Sequence, residues 1–110
     1  MKIKRSAVAG TMESSDIMVT VAPNNGGIQI ELNSTVEKQF GQEIRNVIQD
    51  TLTRLGIDSV TVTAVDKGAL DCVVRARVET AAYRACGSEN YVDYDVWGGM
   101  MIGLLRRSVR

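Results

Sequence analysis

The spacing of apolar residues changes period along this chain, and that change limits the fold more than any single motif. Ile17, Val19 and Val21 alternate with Met18 and Thr20, the two-residue period of a strand with one buried face. Ile28, Ile30 and Leu32 alternate in the same way with Gln29, Glu31 and Asn33. Between the two runs lies Pro23-Asn24-Asn25-Gly26-Gly27, turn chemistry because Asn and Gly tolerate positive φ. Two alternating runs around a short glycine-containing loop predict a β-hairpin. The period then lengthens. Val36, Phe40, Ile44, Val47, Ile48, Leu52 and Leu55 follow at spacings of three and four, one core-facing stripe of an amphipathic helix. Ser34, with Glu37 three residues later, is a capping-box start, and Gly56 supplies a left-handed stop. Gly41 inside this helix costs about 1 kcal/mol relative to alanine, which a close backbone contact on that face would justify.

From Ile57 to Val65 the alternation returns, rich in Val and Thr, and predicts a third strand. After Asp66-Lys67-Gly68 a second helix runs from about Ala69 to Cys86 and ends at Gly87. Its apolar stripe is Leu70, Val73, Val74, Val78, Ala81, Ala82 and Ala85. The order is ββαβα. It predicts an α+β fold, a single small domain with two helices packed on one face of a mixed β-sheet. Strand, helix and strand form a right-handed crossover if the two strands are parallel neighbours. Ser6–Gly10 adds an edge strand. The domain is expected over residues 1–86, followed by a tail over 87–110 of different texture. In that tail Tyr91–Trp97 alternates like a strand, and residues 98–110 read as a short basic amphipathic helix that packs on the domain or on a partner. Gly99 and Gly103 have GxxxG spacing, but the apolar stretch is too short to span a bilayer.

Composition narrows the chemistry. A chain of 110 residues can bury a core without metal or disulfides. It has no histidine, which removes Ser-His-Asp and Cys-His hydrolases and most zinc sites, although carboxylate or lysine chemistry stays open. Thirteen basic residues balance thirteen acidic ones, so there is no electrostatic footprint for nucleic acid. No apolar run approaches the ~18 residues of a membrane span. Met1-Lys2-Ile3-Lys4-Arg5 has no apolar segment after it, so no signal peptide is expected and the cytoplasm is the default compartment. Cys72 and Cys86 fall in one predicted helix, about 21 Å apart, too far for a disulfide, and read as small buried hydrophobes.

Two serines compete as special positions. Ser14, with its neighbour Ser15, lies in Gly10-Thr11-Met12-Glu13-Ser14-Ser15-Asp16, a small polar loop between apolar segments. With no base to activate it, a serine here would accept a modification or simply shape the turn. Ser59 lies in Gly56-Ile57-Asp58-Ser59-Val60, which resembles the Asp-Ser-Leu/Val site of conventional phosphopantetheine carriers. In those proteins the serine opens a helix of an acidic all-α bundle, whereas Ser59 begins an alternating, strand-like run in a neutral chain.

Three blocks in order resemble the citrate lyase acyl carrier (gamma chain) family. They are Ala7-Val8-Ala9-Gly10-Thr11-Met12-Glu13-Ser14-Ser15-Asp16, Ser34-Thr35-Val36-Glu37-Lys38-Gln39-Phe40-Gly41, and Asp66 through Arg77. In the family the first block reads Ala-Gly-Thr-Leu-Glu-Ser-(Ser or Gly)-Asp, so Met12 stands for the commoner Leu and Ser15 for a position that can be glycine. The resemblance implies a non-catalytic carrier whose Ser14 holds phosphoribosyl dephospho-coenzyme A through a phosphodiester. It implies acetyl and citryl thioesters on that group, presented to the alpha (acyl transferase) and beta (citryl lyase) subunits. A prosthetic-group transferase and an acetylating ligase are the further implied partners. The alternatives are a conventional phosphopantetheine carrier modified at Ser59, or an unmodified interaction module.

Overall fold

Six elements occupy the described part of the chain, residues 1–35 and 37–87 of a computed structural model. They are β1 (Ala7–Ala9), β2 (Ile17–Ala22), β3 (Gly27–Ser34), α1 (Glu37–Arg54), β4 (Ser59–Asp66) and α2 (Asp71–Cys86). The strands form one mixed sheet in the order β1-β2-β4-β3. α2 packs on β1 and β2, α1 packs on β3, and the helices pack on each other. The α+β architecture, the edge strand near the N-terminus and the parallel pairing across the β3-α1-β4 crossover all match the periodicity.

The expected hairpin does not form. β4 lies between β2 and β3, antiparallel to the first and parallel to the second. The turn residues are real: Gly26 N–H donates to Asn24 Oδ1, Asn24 Nδ2 donates to the Gly27 carbonyl, and Gly27 has φ 79°. The loop nevertheless spans two strand spacings, about 10 Å, rather than one. Burial explains the preference. Val60, Val62 and Ala64 on β4 are fully or almost fully buried, whereas Ile28, Ile30 and Leu32 on β3 are half-buried. β2 and β4, whose inward apolar side chains are all buried, take the interior of the sheet, where both edges of each are paired, and the less buried β3 is left at the margin. Alternation alone does not reveal that choice, because β2 and β3 satisfy it equally beside β4 or beside each other.

The core joins Ile17, Val19 and Val21 of β2 and the β4 residues to Ile44, Ile48 and Leu52 of α1 and Val74, Val78, Ala81, Ala82 and Ala85 of α2. Gly41 is buried within α1. Gly56 and Gly87 both adopt the left-handed conformation after their helices, as their spacing predicts. Ile3 is buried as well, and the Lys4 and Arg5 N–H groups both donate to the Ala85 carbonyl, which fastens the N-terminal segment to the end of α2. Three expected core members are not core. Phe40, in the opening turn of α1, is 52% exposed, and Leu70, the N-cap of α2, is 70% exposed. Cys72 is exposed on α2 rather than buried, and Cys86 is half-buried with its thiol donating to the Tyr83 carbonyl. The strand expected at Tyr91–Trp97 and the helix expected over 98–110 lie outside the described residues.

This distribution separates two residues of the same stripe. Leu52→Ala should cost about 2–5 kcal/mol, because the side chain is completely buried. Phe40→Ala should cost less than about 1 kcal/mol. Urea denaturation of the two variants measures the difference through their midpoints.

Candidate functional site

The start of β2 and the ends of β3 and β4 meet at one end of the sheet, and the loop carrying Ser14 folds over that end. Its anchor is Asp16. One carboxylate oxygen, Oδ1, accepts from the Ile17 N–H at 2.7 Å and from Arg77 Nε at 3.0 Å. The other, Oδ2, accepts from Thr11 Oγ1 at 2.7 Å and from Arg77 Nη2 at 2.9 Å. The guanidinium thus grips the carboxylate with two parallel bonds and joins the loop to the middle of α2. Burial of Asp16 pushes its pKa up, but the hydrogen bonds from Arg77, Thr11 and Ile17 and the charge of Arg77 outweigh it. The carboxyl therefore sits below its ordinary value of 3.8.

The rest of the loop is set by backbone. Glu13 N–H donates to Thr11 Oγ1, and Asp16 N–H donates to the Glu13 carbonyl at 3.2 Å. Ser15 N–H donates to the Lys67 carbonyl at 2.8 Å, and Lys67 N–H donates to the Asp16 carbonyl at 2.9 Å, which extends the β2–β4 pairing past the strand ends. Ser15 has φ 65°, a left-handed conformation that glycine adopts without steric cost. Gly10 has φ 97°, and a Cβ there would overlap the Ile17 carbonyl oxygen and crowd the Arg77 stem. Glycine at position 10 is therefore a packing requirement, not a source of flexibility. Between these fixtures Ser14 is exposed, and its hydroxyl has no hydrogen-bond partner among the described residues.

A second acid braces the same end. Asp66 is buried, and its Oδ2 accepts from Ser34 Oγ at 2.7 Å and from the Gly68 N–H, while Oδ1 accepts from the Ala69 N–H. Ser34 closes β3 in this way, and Asp66 shapes the turn that leads into α2. The candidate at Ser59 stands elsewhere. It is the first residue of β4, paired with Gly27, and at about 3.3 Å per residue it lies about 23 Å along the strand from Asp66. It opens no helix, so the arrangement used by conventional phosphopantetheine carriers is absent there. Sequence reasoning singled out Ser14, Ser15 and Asp16 but did not find their supports, Thr11, Lys67 and Arg77. The available signal was that Asp16 and Arg77 end two of the three blocks.

The family model ACP, malonate decarboxylase delta subunit (MdcD), matches residues 4–85. The citrate lyase acyl carrier protein of Streptococcus equi subsp. equi is 56% identical over 100 residues, covering 88% of this chain and 98% of that protein. The citrate lyase acyl carrier protein of Latilactobacillus sakei subsp. sakei is 57% identical over 91 residues, covering 83% and 90%. A chain of a Pseudomonas malonate decarboxylase hetero-tetramer solved with malonate shares the fold, with a TM-score of 0.64 at 19% identity over 77% of this chain and 92% of that one.

The clamp gives a pH signature. A carboxyl with a lower pKa in the folded state stabilises the fold above its unfolded value, and that stabilisation is lost as pH falls through the folded value. The melting temperature of the native chain should exceed that of Asp16→Asn most clearly near neutral pH, by the equivalent of about 2 kcal/mol. The gap should close progressively below about pH 4. Thermal scans of both proteins across that range test the sign.

Proposed function

The chain belongs to the citrate lyase acyl carrier protein family, and on that premise we propose that it is a covalent carrier that holds phosphoribosyl dephospho-coenzyme A through a phosphodiester on Ser14. The observation that carries this reading is an exposed hydroxyl without a partner, set between backbone positions that are hydrogen-bonded into the sheet. When bound, the group supplies a terminal thiol on which acetyl and citryl groups travel as thioesters. The chain's own task is presentation. Each oxygen of Asp16 already accepts two hydrogen bonds, and its lowered pKa makes it a weak base. It does not take the Ser14 proton. The modifying transferase must supply the base, and an exposed loop gives that enzyme access.

The left-handed backbone at Ser15 favours its neighbour as the attachment point. A position that glycine fills as well as serine cannot be one whose hydroxyl is indispensable. The partners proposed on this reading are the alpha (acyl transferase) and beta (citryl lyase) subunits, the prosthetic-group transferase and an acetylating ligase, all in the cytoplasm. A thiol tethered to one carrier would be present at high effective concentration at two active sites in turn.

Co-expression with the transferase and intact-mass measurement test the assignment. Ser14→Ala should carry no adduct and should change folding stability by no more than about 0.5 kcal/mol. Ser15→Gly and Ser59→Ala should both carry the adduct. An adduct lost on Ser59→Ala alone, with the mass of phosphopantetheine, would overturn the proposal.

A further inference from the structure

We propose that the apolar groove between the opening turns of α1 and α2 is a resting site for the thioester end of the arm attached at Ser14, selective for an acyl group that carries no charge. The inference rests on the carrier reading above and adds a binding site to it. Phe40, Ile44, Ala69 and Leu70 form the apolar lining of the groove, which has a volume of about 600 Å³. That falls within the range of ~300–1,000 Å³ typical of small-molecule sites.

The residue choice at its rim is unexplained by folding. Leu70 is the N-cap of α2 and makes no side-chain cap, at a position where Ser, Thr, Asp or Asn is strongly preferred. It is also the most exposed of the large apolar side chains among the described residues. A large apolar residue that breaks a local rule without gaining burial marks a site kept for something other than stability. Phe40, half-exposed on α1, faces the same groove.

The groove adjoins the strand end that holds the attachment loop. Gly68 lines it, and the neighbouring residue Lys67 is hydrogen-bonded in both directions to Ser15 and Asp16. A long arm on Ser14 therefore needs only to fold back to bring its thioester end to this wall. The charged residues among the described lining of the groove are Glu43 and Asp71, both exposed. Two carboxylates there tolerate an acetyl end and repel an end that bears further carboxylates. Phe40 and Leu70 would thus shelter the arm while it waits, and Glu43 and Asp71 would release it once it carries a carboxylate-rich acyl group.

Cys72 lines the groove and is exposed, so its alkylation by iodoacetamide reports on occupancy. The full chain is compared without an arm, with the acetylated arm and with a citryl-bearing arm, each state fixed by intact mass and the alkylated cysteine located by peptide mapping. The acetylated arm should slow Cys72 alkylation several-fold and shift the amide resonances of Phe40 and Ala69–Cys72. The citryl-bearing arm should leave both near their arm-free values. Leu70→Ser, loaded to the same mass, should lose the protection. An arm present on Ser14 with Cys72 reacting at its arm-free rate overturns the groove and leaves the carrier reading intact, whereas a chain that takes no adduct at Ser14 overturns both. Protection that appears only on adding a partner subunit, or that exists without the arm and vanishes on removing residues 88–110, would assign the groove to a protein segment and overturn the proposal.

Discussion

Strand β4 is hydrogen-bonded along both edges, and every other element takes its place from that fact. Its inward side chains are buried and both its edges are paired, so it cannot lie at a margin. With β4 central, β2 and β3 become its two neighbours. Helix α1, which links β3 to β4, and α2, which leaves β4 for the far side, then share one face. The start of β2 and the ends of β3 and β4 coincide at one end of the sheet, and every loop relevant to Ser14 collects there.

At that end two acids act as fixed acceptors rather than as reagents. A buried carboxylate is tolerated only when its oxygens are bonded, and each of these meets that condition with partners from separate parts of the chain. Asp16 joins its own loop to α2 through Arg77, and Asp66 joins the end of β3 to the turn before α2. The chemistry of the site follows from this commitment. The acids hold the shape of the loop, and their oxygens are already occupied by these bonds.

The elements were legible from period alone, since a two-residue and a 3.6-residue repeat are hard to confuse over these lengths. Sheet order was not. Pro23–Gly27 has the composition of a tight hairpin loop, and nothing local distinguishes a loop that spans one strand spacing from one that spans two. Phe40 and Leu70 were misread for a related reason. Periodicity places a residue on a helix face, but it does not say whether the sheet still lies beneath that turn. At the site, Ser14 came from a resemblance carried by three blocks, whereas Arg77, Thr11 and Lys67 became visible only once residues up to 61 positions apart were brought together. The left-handed backbone at Ser15 also gives a physical reason for a position that accepts either serine or glycine.

The bonds around Ser14 make it a pivot with a fixed centre. Ser15 is bonded to Lys67 and Asp16 is gripped by Arg77, so a pull on the Ser14 side chain is met within two residues by the sheet and by α2. Slack in the loop then adds little to the reach of anything attached there. The accessible region becomes a volume whose outer limit is the extended length of the attachment and whose inner limit is the surface of the domain. Catalytic centres served by one such carrier would have to lie within one arm's length of a single point.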